Sequence, residues 1–188
     1  MHEKLWKVSN ELKGSEGLDW IKREFAHYDF KELEWITLRR GAWGGPGSRY
    51  DGTWGWTSTI HGQCQLPHHT RSGKYRINCN VNTRLGWPAD EYQRVSPLYK
   101  NADGSWPEVP EGHVTGTWFG DPKTGQEWQR LYRLVPISTE DEAVVYIVAH
   151  EMFHYLRRTK QIEGRNTEIE ADGFSLELLE RYRESVRY

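Results

Sequence analysis

Long apolar runs are missing from this chain. No stretch approaches the ~18 consecutive apolar residues of a membrane span, and mean hydropathy is −0.86. Cysteine is scarce, at two residues, which excludes a disulfide-dense scaffold. An excess of one charge is missing too. Lys and Arg number 25 against 27 Asp and Glu, a formal net charge of −2, so no general basic field exists to hold nucleic acid by its phosphates. Arg157, Arg158, Lys160 and Arg165 read as a solvated helix end beside the C-terminal dipole. Met1 to Gly14 contains no apolar stretch of the kind a secretory signal needs. The expected address is therefore the cytoplasm, and neither a membrane nor a nucleic acid is an expected partner.

What the chain does have is aromatic bulk: 10 Trp, 10 Tyr and 5 Phe among 188 residues. Disordered chains lack such bulk, and this length suits a single domain over 1–188. Leu18 to Tyr28 reads as a helix, with Leu18, Ile21 and Phe25 on one stripe. Trp35 to Arg39 reads as a strand, and Ala42 to Trp56, rich in Gly and Trp, as a loop. Thr57–Leu66 and Tyr75–Asn82 form a predicted hairpin. In its second strand, Tyr75, Ile77, Cys79 and Val81 alternate with Arg76, Asn78, Asn80 and Asn82. A turn on Arg71-Ser72 would set Cys64 opposite Cys79. That permits a cross-strand disulfide, although two free buried thiols are the preferred expectation. A zinc site from Cys64, His68, His69 and Cys79 fits no common ligand spacing.

Residues 83–126 carry Pro88, Pro97, Pro107, Pro110 and Pro122. A plain loop of that length is abnormal in a compact domain, so an ordered insertion is expected, with a helix opening at Pro88. Glu127–Val135 resembles another strand. Two helices then close the chain. The first opens at Ser138 or Thr139 and runs to about Arg158. The second opens near Asn166-Thr167 and runs to about Arg183. Thr139 with Glu142, and Thr167 with Glu170, both have capping-box spacing.

The chemistry lies in the first closing helix, in His150-Glu151-Met152-Phe153-His154. Residues four apart on a helix are about 40° apart around its axis, one turn up, so both imidazoles can reach one ion. Glu151 projects beside them as a general base. Residues Ala143–Ala149, Phe153 and Leu156 surround this helix with apolar side chains, and a buried imidazole or carboxylate needs a partner. A catalytic zinc takes three protein ligands and leaves a position for water. No His or Cys follows His154, so a downstream third ligand must be a carboxylate. On the second helix Glu170, Glu177, Glu180, Arg181 and Glu184 gather on a solvated face. Glu168 and Asp172 lie on the side of Ala171, Leu179 and Tyr182. Glu168 is assigned as third ligand. Asp172 is assigned as acceptor of the second N–H of a ligand histidine, His150.

His150-Glu-Met-Phe-His154 followed by Glu168-Ile-Glu-Ala-Asp172 resembles the gluzincins, zinc metallopeptidases with H-E-x-x-H on one helix and E-x-x-x-D on the next. Glu168 to Phe174 is also similar to the E-x-E-A-D-x-F stretch of ImmA/IrrE-type metallopeptidases. The resemblance spans Ser138 to Arg183. It implies an α+β, zincin-like fold in which a small mixed sheet packs on the active helix. It implies a zinc endopeptidase acting on protein or peptide. The substrate would lie along an edge strand of that sheet, Gln63–Leu66 or Tyr75–Asn82. A further oxyanion donor is expected in that family, and His113, Tyr155 and Arg157 are candidates.

Two other functions compete. One is a zinc protein without catalysis, against which an intact Glu151 speaks. The other is a carbohydrate- or peptide-binding module with a cleft lined by Trp43, Trp54, Trp56, Trp87, Trp106, Trp118 and Trp128. Burial of those tryptophans in the core is the plainer expectation.

Overall fold

Two small sheets and three helices make this an α+β protein. The computed structural model describes residues 3–40, 60–81 and 86–187. The predicted loop 42–56 lies outside them, as do Trp43, Trp54 and Trp56.

The first sheet has four strands: β1 (Trp6–Val8), β2 (Leu33–Arg40), β3 (Ile60–Gln65) and β4 (Tyr75–Val81). Their spatial order is β1-β2-β4-β3. β1 and β4 both run parallel to β2, whereas β3 runs antiparallel to β4 and forms the sheet's edge. The alternation expected in β4 is present in part: Ile77, Cys79 and Val81 are fully buried and Asn78 is not, but Asn80 is buried as well.

The hairpin's register departs from the expectation. Cys64 stands opposite Ile77 and Gly62 opposite Cys79. The turn on Arg71-Ser72 is present, closed by the Gly73 N–H on the Thr70 carbonyl at 3.4 Å, but a short 3-10 turn at Pro67–His69 precedes it and shifts the pairing. Thr70 Oγ1 ties it by donating to the carbonyls of Pro67 and Lys74. Both cysteines are free. Burial pushes the Cys64 thiol up to about 12.

The second sheet comes from the insertion and the strand after it. Its strands are β5 (Ala89–Arg94), β6 (Leu98–Tyr99), β7 (His113–Gly120) and β8 (Glu127–Ile137). The long β8 is central: β5 and β6 pair along one side of it and β7 along the other, all antiparallel. No helix opens at Pro88. This residue stands just ahead of β5, where its missing N–H costs no ladder bond.

Helix α1 (Glu16–Glu24) buries Leu18 and Ile21 as the stripe requires, with Phe25 at its C-cap. α2 (Glu140–Arg158) is capped by Thr139, whose hydroxyl accepts from the Glu142 N–H. α3 (Glu168–Val186) is capped in the same way by Thr167 and Glu170. α2 packs against α1, α3, β3 and β4 together, so residues 143–149 and 151–156 are all buried. No helix among the described residues is long and apolar enough to cross a membrane.

An ion pair between Arg183 and Glu142 is among the contacts that tie the two closing helices. Arg183 donates to both oxygens of Glu142, at 3.1 and 2.7 Å, and to the Pro136 carbonyl at 2.6 Å. Burial alone would raise the Glu142 carboxyl. The Arg183 guanidinium and the Ser138 N–H outweigh that and hold it below the usual carboxylate range. A depressed folded-state pKa means stability that is present above the unfolded value and lost as pH falls through the folded one. Arg183→Met therefore leaves Glu142 unpaired. It should destabilise the protein at pH 7 by roughly 2–4 kcal/mol in urea unfolding. The deficit should shrink as pH falls through the depressed folded-state pKa of Glu142, where the wild type loses the pair as well.

Candidate metal centre

Four polar side chains follow one another along α2 at four-residue spacing: Tyr146, His150, His154 and Arg158. They form one stripe and face a cleft of about 820 Å³. Edge strand β3 forms another wall, through Ile60 to Cys64. β5 and β7 of the second sheet form a third, and α3 contributes Glu168 and Asp172.

At the centre three donors converge. His150 Nε2 and His154 Nε2 are 3.3 Å apart. Glu168 brings one oxygen to 3.4 Å from His150 Nε2 and the other to 3.6 Å from His154 Nε2. Tetrahedral zinc with bonds of about 2.0–2.2 Å sets its ligand atoms about 3.3–3.6 Å apart. The donor set, two imidazoles and a carboxylate, is also one that zinc accepts. The donor types therefore fit the metal expected from the sequence, and one ligand atom from each residue lies within 4.8 Å of the others. Among the described residues this is the one His, Cys and carboxylate cluster of metal-binding geometry. Cys64, His68, His69 and Cys79 do not form one.

Both rings are oriented from behind. His150 Nδ1 lies 3.0 Å from Asp172 Oδ1. Asp172 Oδ2 in turn accepts the Arg94 backbone N–H at 2.7 Å. His154 Nδ1 lies 2.8 Å from Asn166 Oδ1. An N–H at each Nδ1 leaves each Nε2 lone pair aimed at the cluster.

The charges answer one another. Burial alone would depress His150, but hydrogen bonds to Asp172 and Glu168 push it up to about 10. The His150 hydrogen bond in turn holds Glu168 down to about 2. His154 lies below its usual value because it is desolvated. Two imidazoles among carboxylates thus make a cluster that favours a positive charge at its centre, which a proton or a cation can supply.

Glu151 is buried, and desolvation pushes it up to about 7. It lies beneath Gly62 of β3, where an added Cβ would stand 2.4 Å from its Oε1 and 2.5 Å from its Cγ. The N–H of Cys64 faces the same carboxylate, and Arg158 donates to the Cys64 carbonyl at 3.3 Å.

The sequence missed several participants. Gly62 had a signal, since a glycine inside a strand marks close approach. Asn166 and Arg94 had none, because no spacing rule links them to the motif. The three candidate oxyanion donors all lie elsewhere. Tyr155 donates to the Asp29 carbonyl, Arg157 to the Ile162 carbonyl, and His113 Nδ1 lies 2.9 Å from the Glu111 carbonyl. None of the described tryptophans lines the cleft, whose rings are Tyr92, Tyr132 and Tyr146. Trp87 packs on the core, Trp128 stacks on Phe119 at 4.2 Å, and Trp118 is 53% exposed. Arg157 and Arg158 are not a solvated run either, since each is partly buried and donates to a backbone carbonyl.

Two substitutions test this geometry. Gly62→Ala forces Glu151 or β3 to move and should destabilise by about 1–3 kcal/mol, with zinc affinity retained; unchanged thermal stability would contradict the close approach. Asn166→Ala should weaken zinc binding by roughly 10–100-fold in a competition titration.

No family model, curated protein or solved structure matches the chain.

Proposed function

We propose that this protein is a zinc-dependent peptidase of the gluzincin kind with a zincin-like fold, and that it cleaves within protein or peptide chains. One observation carries the reading. One ligand atom from each of His150, His154 and Glu168 lies within 4.8 Å of the others, and the buried Glu151 lines the same cleft. A structural zinc site fills all four positions with protein ligands and has no use for a carboxylate such as Glu151. That favours catalysis over the non-catalytic reading.

When bound, zinc would supply Lewis-acid activation of a water and of the scissile carbonyl. The residues do the rest. Glu151 has its pKa near neutrality, so it can take the water's proton and hand it to the leaving amine. Asp172 and Asn166 keep the imidazoles in register throughout. The substrate would add to β3 as a further strand. The Cys64 carbonyl already points away from β4 toward Arg158, and by two-residue alternation Gly62 presents its backbone groups on the same outer edge. Such pairing reads few side chains, so selectivity would fall to the tyrosine-lined wall opposite.

The reading is tested with the zinc-loaded protein on unfolded casein and a library of internally quenched peptides. Cleavage should stop with a chelator and return with zinc. Glu151→Gln should lose about 10²-fold or more in rate while keeping its zinc. Cleavage that persists under chelation, or in Glu151→Gln, would overturn the reading.

A further inference from the structure

We infer that Arg94 is a further catalytic residue of this cleft, the donor that binds the anionic oxygen of a substrate carbonyl under attack. The assignment rests on the metal-site reading above and adds a group that the motif does not contain.

Arg94 ends β5, a strand of the inserted sheet. Its backbone N–H donates to Asp172 Oδ2 at 2.7 Å, and the other oxygen of Asp172 holds His150 Nδ1 at 3.0 Å. Two hydrogen bonds thus fix the Arg94 backbone relative to a metal-binding imidazole. Its side chain lines the same cleft as His150, His154 and Glu168. Its charge reaches Glu168 and helps hold that carboxylate ionised.

The Nε of its guanidinium is buried with no hydrogen-bond partner among the described residues, and no carboxylate among them forms an ion pair with it. A buried donor on a charged group is costly to leave unmade, unless a ligand supplies the acceptor. A planar guanidinium offers two parallel N–H groups, which suits an anionic oxygen. The other orphaned hydroxyl in the cleft, on Tyr146, is a poorer choice because that side chain is only 3% exposed. Arg158 is engaged with the Cys64 carbonyl.

The step balances without a further reactant. A water oxygen forms a bond to the carbonyl carbon as its proton passes to Glu151. The carbonyl π electrons move onto oxygen, where Arg94 donates hydrogen bonds and keeps its own proton. The C–N bond then breaks and the proton passes from Glu151 to the amine.

The test uses Co(II)-loaded full-length protein, whose visible spectrum reports ligands at the metal. Inorganic phosphate serves as the tetrahedral anion and imidazole as a neutral ligand. Arg94→Ala should bind phosphate at least about tenfold more weakly, with Co(II) stoichiometry and imidazole affinity unchanged. Arg94→Lys restores the charge without the planar fork and should recover part of the loss. Arg158→Ala should change phosphate affinity less than about threefold. Equal phosphate affinity in wild type and Arg94→Ala, with Co(II) bound in both, would overturn the assignment and leave the metal site standing. A wild type that takes up no Co(II) would overturn both. Should Arg94→Ala fold poorly, a phosphate affinity in Arg94→Lys equal to wild type would count against the assignment by itself.

Discussion

Burying a polar helix constrains everything packed around α2. The helix meets neighbours on nearly every side, yet it carries two imidazoles and a carboxylate into the interior. Each of those groups must find a partner or be neutralised, because an isolated buried charge is too costly to keep. The surrounding elements answer group by group. α3 supplies Glu168 and Asp172, the turn before it supplies Asn166, and β3 supplies a glycine under which Glu151 can lie. What remains is three donor groups whose ligand atoms lie within 4.8 Å of one another.

The inserted sheet is part of that answer. It first looks like decoration on a helical core with a small sheet. Yet β8 leads directly into α2, and β5 lays the Arg94 amide on Asp172. It also forms a wall of the cleft opposite the edge strand β3. An extended chain lying along β3 would therefore pass between the two sheets, with the α2 stripe as its floor.

How much of this was legible in the sequence depended on the range of the interaction. Capping boxes at Thr139 and Thr167 act over three residues, and both helices open where those boxes placed them. The sorting of acids on α3 rests on helical periodicity alone. It separated Asp172, which is buried, from the exposed Glu177, Glu180 and Glu184, but Glu168 is itself exposed although it lines the cleft, and Glu170, expected on the solvated face, is half-buried. Long-range partners were not legible. Cys64 faces Ile77 and not Cys79 because a 3-10 turn reset the hairpin register, and turn geometry of that kind leaves little trace in composition. The helix expected at Pro88 lost to pairing with β8, a partner some forty residues downstream. Of the candidate donors, Tyr155 is turned about 100° away from His154 by helical phase, whereas Arg157 shares the phase of His150 and is lost to the site because its guanidinium is taken by the Ile162 carbonyl.

The most direct measurement of the central claim is zinc per chain, by elemental analysis, on the wild type and on Glu168→Gln after identical metal resupply and desalting. This account predicts about one zinc per chain in the wild type and much less in the variant, because a neutral amide is a poor third ligand. A wild type that retains no zinc, or a variant that retains as much as the wild type, would contradict it.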